Sequence, residues 1–244
     1  MKKTALIIAL IVFGNIMYGA TLEKSKSIVE KKLFYVSHDS FRMETGKKVI
    51  YTDPFNIPDG AKRADIILIT HQHQDHLQLE SINKIADKNT VIVAPVTAEY
   101  ELKNKVLAKL RRVKVGDNLK LDGIIIEVKA AYNLKKERLN YHPKKEGFAG
   151  YIVTFEGVKI YFAGDTDVIP EMKKIKCDIA LLPVSGTYVM TAEEAFEAAV
   201  LINPKIVVPM HYGAIVGSDT DALNLKKAME GNKIEVIIKE KEVK

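Results

Sequence analysis

Three histidines and an aspartate fall within one short stretch, Thr70-His71-Gln72-His73-Gln74-Asp75-His76. Imidazole nitrogens and carboxylate oxygens together are the donor set of zinc, manganese and iron. A strand-like apolar run, Asp65-Ile66-Ile67-Leu68-Ile69, leads into them. Ionisable groups at the exit of a buried strand are costly unless paired or bound to a cation. His71 and His73 are two residues apart, and at a strand end such positions share a side. Both therefore reach one ion. Asp75 and His76 come where the chain turns towards a helix and reach a second ion nearby. The alternative is a solvated polar loop in which the histidines coincide.

The remaining donors are scattered along the chain. It has six histidines: His38, His71, His73, His76, His142 and His211. Gly164-Asp165-Thr166 follows an expected strand over 158–162. A carboxylate there can bridge two ions, although Gly-Asp-Thr is also a good turn and helix cap. His211 follows an expected strand over 206–208. Loops meeting at one end of a sheet sandwich would bring these residues together. Ser185-Gly186-Thr187-Tyr188 follows another strand and either lines the pocket or is a plain glycine turn.

The elements that would position them are readable in outline. Residues 21–32 are polar and read as an exposed lead-in. Strands are expected over 33–36, 48–52, 66–69 and 91–94, and Leu77, Leu79, Ile82 and Ile85 mark one face of a short helix. Leu102, Val106 and Leu110 at fourfold spacing predict a helix over 97–110. Asp122-Gly123 and Glu156-Gly157 are turns of two hairpins, 119–128 and 151–162. The polar segment 133–147 between them is too long for a plain turn, and long loops in compact domains are often functional. A strand over 179–182 follows. Thr191-Ala192-Glu193-Glu194 has capping-box spacing for a helix through Leu201, and a helix over 221–229 and a strand over 234–238 close the chain. Hairpin-rich strands punctuated by few helices point to two packed sheets with helices outside, not to a doubly wound sheet.

The 244 residues are 47% hydrophobic and 28% charged, enough for one substantial core. The net charge of +6 is spread along the chain without a polybasic block or interleaved aromatics, so nucleic-acid binding is not expected. One cysteine, Cys177, excludes an intramolecular disulfide. Lys2 and Lys3, the apolar run 4–13 and small residues near Ala20 describe an export signal. Residues 1–20 are therefore set apart as a signal peptide or N-terminal anchor, and 21–244 as one domain. The protein is expected to be exported, periplasmic or extracellular. Tyr18 stands where a cleavage site prefers a small residue, so a membrane-anchored form is the alternative.

The order His71-x-His73-x-Asp75-His76, then Gly164-Asp165-Thr166, then Pro209-Met210-His211 resembles the metallo-β-lactamase fold superfamily. Tyr51-Thr52-Asp53-Pro54-Phe55, Ile160-Tyr161-Phe162-Ala163-Gly164-Asp165 and Met210-His211-Tyr212-Gly213 extend the likeness over roughly residues 33–238. Within the superfamily the chain is similar to the metal-dependent hydrolase branch of L-ascorbate-6-phosphate lactonase and N-acylphosphatidylethanolamine phospholipase D. The resemblance implies an α/β fold, a four-layer αββα sandwich with the site along one edge of the two sheets. It implies His71 and His73 on the first metal, Asp75, His76 and His211 on the second, and Asp165 bridging. The superfamily usually supplies a third first-metal histidine after the strand that here spans 124–128. This chain has Ala130-Ala131-Tyr132-Asn133 there. His142 is the substitute, or else a loop histidine that fixes substrate while Asn133 or water completes the metal. His38, in Ser37-His38-Asp39-Ser40-Phe41, aligns with a Gly-His-x-Ser-Phe segment of the branch. It implies a role beside the metals or in the substrate pocket, the alternative being a turn histidine.

Two Zn2+ ions, or alternatively Mn2+ or Fe2+, would activate water for attack on an ester, lactone or phosphodiester of a small-molecule or lipid-like substrate. Asp75 would orient the water and carry a proton. No Gly-x-Ser-x-Gly, Walker loop or dinucleotide fingerprint is present, and no protein partner is indicated. Membrane contact is expected only if the N-terminal segment stays uncleaved. The competing reading is a secreted metal- or ligand-binding protein of the same fold with little or no turnover.

Overall fold

The computed structural model describes residues 19–242 of the chain. Residues 1–18 of the expected export segment lie outside them. Among the described residues no helix is long and apolar enough to cross a membrane.

Residues 19–31 are helical (α1), where an exposed lead-in was expected. Ser25, Ile28 and Val29 lie at i, i+3 and i+4 and are all buried, with both apolar residues in the main core. A stripe this narrow in a Lys/Glu-rich segment gives a weak periodic signal, so the polar face masked it.

The first sheet has the order β1 (Leu33–Ser37), β2 (Ser40–Glu44), β3 (Val49–Thr52), β4 (Ile66–Leu68), β5 (Val91–Pro95), β6 (Lys109–Val113). The second runs from β13 (Glu235–Val236) through β12 (Ile206–Met210), β11 (Ile179–Pro183), β10 (Val158–Phe162), β9 (Ala149–Phe155) and β8 (Ile124–Ala130) to β7 (Asn118–Leu121). Helices α2 (Leu79–Ile85), α3 (Glu99–Leu102), α4 (Ala192–Ile202) and α5 (Asp219–Ala228) complete the mixed α/β fold. Both hairpins form at the expected turns, Leu121 pairing with Ile124 and Phe155 with Val158. Thr191 and Glu194 form the reciprocal capping box that starts α4.

The layers follow from alternation along β4. Ile66 and Leu68 face the core between the sheets, whereas Ile67 and Ile69 pack with Ile82 and Ile85 of α2 in a second cluster. A strand covered on both faces must be apolar throughout, which explains the unbroken run before the histidines.

The helix expected over 97–110 is not formed. A 3-10 turn at Val96–Ala98 and the single turn of α3 are followed by β6, an exposed edge strand paired with β5. Asn104 adopts a left-handed φ of 62° just beyond α3. The fourfold spacing of Leu102, Val106 and Leu110 therefore joins residues of three different local structures, and the Lys/Arg-rich β6 guards the sheet edge.

Strand direction sets where the donors can be. β1 and β3 both pair antiparallel with β2, and β3 to β6 are mutually parallel, so β1, β3 and β4 end at the same edge. In the second sheet β8 and β10 both pair antiparallel with β9, and β10, β11 and β12 are parallel. The two edges are stitched together: Ala149 N donates to Thr70 O at 3.0 Å and His211 N to His38 O at 3.3 Å. The Tyr151 hydroxyl crosses from the second sheet and donates to Ile69 O at 2.7 Å, immediately before the histidine stretch.

Replacing Tyr151 by Phe keeps the ring and leaves the Ile69 carbonyl without this buried donor. The expected cost is about 1–3 kcal/mol of unfolding free energy, read from urea denaturation of wild type and variant. An unchanged midpoint and slope would show that the cross-sheet bond is not a determinant of stability.

Candidate metal centre

The centre gathers at the C-terminal ends of strands from both sheets. β4 leads to His71 and His73, and β10 to Asp165 through Ala163-Gly164. β12 leads directly to His211, and the turn between β1 and β2 carries His38 and Asp39. Gly164 is required where it stands. Its φ is +66°, and a Cβ there would lie 3.0 Å from Ala149 O and 3.1 Å from Thr70 Cγ2. After β4 the chain turns tightly, with His76 N and Leu77 N both donating to His73 O, at 3.0 and 2.8 Å. This turn carries Asp75 and His76 round to the same space.

Four imidazoles are fixed by a ring of outward hydrogen bonds. His76 Nδ1 lies 2.8 Å from Asp53 Oδ2. Thr70 Oγ1 donates to Asp53 Oδ2 at 2.6 Å, so it accepts from His71 Nδ1 at 3.0 Å. The Asn133 amide donates to Asp167 Oδ1 and Tyr188 O, which turns its Oδ1 towards His142 Nδ1 at 2.9 Å. Ser185 Oγ donates to Thr187 O and accepts from His211 Nδ1 at 3.0 Å. This network places the proton of a neutral ring on Nδ1 and turns Nε2 inward, where that of His71 lies 2.9 Å from His73 Nδ1.

The other inward atoms do not satisfy one another. Nε2 of His76, His142 and His211 and Oδ1 of Asp165 are buried and lack hydrogen-bond partners. Asp165 stands between the three rings, 3.4 Å from His76 Nε2, 3.1 Å from His142 Nε2 and 3.2 Å from His211 Nε2. Donors each about 2.1 Å from a shared tetrahedral ion lie about 3.4 Å apart. Unpartnered lone pairs at such separations, buried on every side, fit a cation.

Among the described residues, three overlapping groups have donor atoms close enough for an ion: His71, His73 and His142; His71, His76 and Asp165; and His38, Asp39, His76 and His211. His142 thus joins His71 and His73, in the place where the sequence lacks the third histidine. The long 133–147 segment delivers it. Asp167 accepts from Leu134 N and Lys135 N at 2.7 and 2.9 Å, and Arg138 Nη2 donates to both carboxylate oxygens of Glu194 at 2.9 Å. Asp75 is not in these groups. Its Oδ2 lies 3.3 Å from His38 Nε2 and 3.6 Å from His76 Nε2, at the partly exposed side of the cluster. Thr187 and Tyr188 are exposed beside it, and Gly186 makes the positive-φ turn between Ser185 and Thr187.

The charges are strongly coupled. Burial pushes Asp165 upward, but His211, His76 and His142 overcome it and hold the carboxyl well below its usual value. Burial pulls His76 downward, yet Asp165 and Asp53 hold it well above an ordinary histidine. His71 is driven well below by burial, reinforced by His76. Burial also opposes ionisation of Asp75, and His38 and His76 outweigh it, so its carboxyl lies below the normal range. Asp39 differs: burial pushes it up to about 8 despite His76 and His38.

Asp39, Asp53, Asp167 and Arg138 received no role from the sequence. Asp53 lies in the Tyr51–Phe55 segment that carried the resemblance, which was the available signal. Asp39 had one too, since it adjoins His38.

The chain matches the model of the beta-lactamase superfamily domain over residues 32–211. It is 34% identical over 231 residues to a UPF0173 metal-dependent hydrolase of Pyrococcus furiosus, covering 85% of this chain and 95% of the relative. A crystal structure from Parabacteroides distasonis described as a metal-dependent hydrolase superposes with TM-score 0.77 at 38% identity, covering 86% and 93% of the two chains. Igni18, a metallo hydrolase from Ignicoccus hospitalis, gives TM-score 0.70 at 27% identity over 85% and 94%.

His142→Ala is expected to lower the metal content of purified protein by about one equivalent per chain, measured by elemental analysis, because three protein donors are the usual minimum for such an ion. Unchanged content would remove His142 from the donor set.

Proposed function

We propose a specific reaction for this chain, which belongs to the metallo-β-lactamase superfamily and is a metal-dependent hydrolase: cleavage of an ester, lactone or phosphodiester by water activated at a pair of zinc ions. Mn2+ or Fe2+ are the alternative metals. The observation that carries the reading is the ring of inward, unpartnered Nε2 atoms around Asp165.

His71, His73 and His142 would hold the first ion. Asp75, His76 and His211 would hold the second, with Asp165 bridging. Bound there, the metal supplies a water of lowered pKa and a Lewis acid for the attacked carbonyl or phosphoryl oxygen. The protein's part is orientation. Asp53, Thr70, Asn133 and Ser185 fix the rings, and their loss would loosen every donor. Asp75 is partly exposed and ionised, so it can accept a hydrogen bond from the attacking water and then its proton. No side-chain nucleophile is needed.

The exposed rings of Tyr141 and Tyr188 pack at 4.4 Å between centroids, flanking His142 in sequence and Asn133 in space. With Ser185, Gly186 and Thr187 they form the proposed substrate surface, which offers an apolar platform to a small-molecule or lipid-like substrate. The rival reading, a binding protein without turnover, drew on a missing third histidine, and His142 now stands beside the first two.

Asp75→Asn is expected to lower kcat by roughly 100- to 10,000-fold, the usual range for a proton-transfer group, on whichever chromogenic phosphodiester, ester or lactone the wild type cleaves. Exhaustive chelation should abolish the same activity and zinc should restore it. Activity that survives both treatments would overturn the mechanism.

Export through residues 1–20 remains part of the proposal. A mature N-terminus near residue 21, determined by N-terminal sequencing of protein from the native host, is the expected result. An intact Met1 in the membrane fraction would favour the anchored form instead.

A further inference from the structure

The turn between β1 and β2 is unusual in its surroundings. Hairpin turns ordinarily lie at the surface, because their polar groups need water. Here Ser37, His38, Asp39 and Ser40 are all buried, none more than 2% exposed. Six polar side-chain atoms of this turn lack hydrogen-bond partners: Ser37 Oγ, both ring nitrogens of His38, both carboxylate oxygens of Asp39 and Ser40 Oγ. An unpaired buried carboxylate is among the costliest groups a fold can carry. The backbone holds the turn in place at both ends. His38 N donates to the Tyr35 hydroxyl at 3.1 Å, His38 O accepts from His211 N at 3.3 Å, and Asp39 O accepts from Thr52 Oγ1 at 3.1 Å. His38 has a left-handed φ of 56°, a strained conformation for a residue with a side chain.

The turn points into the metal centre. Asp39 Oδ2 lies 3.5 Å from His76 Nε2, an inward donor atom. The His38 ring lies 4.1 Å, centroid to centroid, from that of His211. The spacing between Asp39 Oδ2 and His76 Nε2 is too long for a good hydrogen bond and close to the edge of a tetrahedron around a shared ion, about 3.4 Å. No substrate reaches side chains this deeply enclosed, so a substrate contact does not account for them.

We infer that Asp39, together with His38, supplies further direct donors to the second metal, beside His76 and His211. This rests on the metal reading proposed above and deepens it. The second ion then sits in a position enclosed by buried protein donors, in the manner of sites that hold metal tightly. The three-histidine position, with His73 only half-buried, is the shallower and more exchangeable one.

The test uses the full chain. Asp39→Cys loaded with cobalt(II) is expected to show a near-ultraviolet thiolate-to-cobalt charge-transfer band that cobalt-loaded wild type, with only Cys177, lacks. In parallel, wild type dialysed against a limiting chelator should keep about one equivalent of zinc per chain, and Asp39→Asn should lose it. Two bound cobalt ions without the band, or zinc retention by Asp39→Asn equal to wild type, would overturn the inference while leaving the metal reading intact. Should the cysteine variant fail to fold by circular dichroism, the asparagine variant decides alone. Wild type that binds no zinc or cobalt would overturn the metal reading and this inference with it.

Discussion

The structure is built around a desolvation problem. Six histidines and several carboxylates converge in a space that water scarcely enters, and buried ionisable groups are tolerated only when paired or bound to a cation. The fold answers half of that demand. Outward-facing Nδ1 atoms of His71, His76, His142 and His211 each meet an oxygen from Thr70, Asp53, Asn133 or Ser185. On the inward side, Nε2 of His76, His142 and His211 finds no hydrogen-bond partner in the protein. That asymmetry distinguishes a metal centre from a structural cluster of histidines, in which both nitrogens would find partners.

Strand direction makes the convergence possible. The strands that carry donors run the same way within each sheet, so their following residues meet at one edge, as ligand sites at the carboxyl ends of parallel strands do. Sharp changes of direction are then needed within one or two residues. His38, Asp53 and His211 all take left-handed φ values, 56°, 38° and 60°, although none is glycine. Such strain concentrates at functional sites, where surrounding contacts over-determine the backbone. Here Thr70, Tyr35 and the His211–His38 backbone bond supply those contacts.

Much of the framework was legible because its signals are local. The two hairpin turns, the Thr191 capping box and the buried β4 run all reflect short-range stereochemistry. The segments over 19–31 and 97–110 were misread for the opposite reason. Whether Ile28 and Val29 form a core stripe, or Leu110 belongs to a strand, depends on partners far away in the chain. Within the centre, Asp39 passed unnoticed because a lone Asp in a hairpin turn is ordinarily a solvated turn residue. Only its burial makes it unusual.

By itself the sequence determined the chemistry of the donors, their order and the strands that deliver them, since residue type and two-residue spacing are covalent facts. The tertiary structure decided which donors share a space. The place beside His71 and His73 is taken by His142 because Asp167 and the Arg138–Glu194 pair fold the 133–147 loop back over the site. Asp39 enters because the turn between β1 and β2 is tied to the backbone of His211. Both outcomes depend on contacts between residues tens to hundreds of positions apart, which spacing along the chain does not encode.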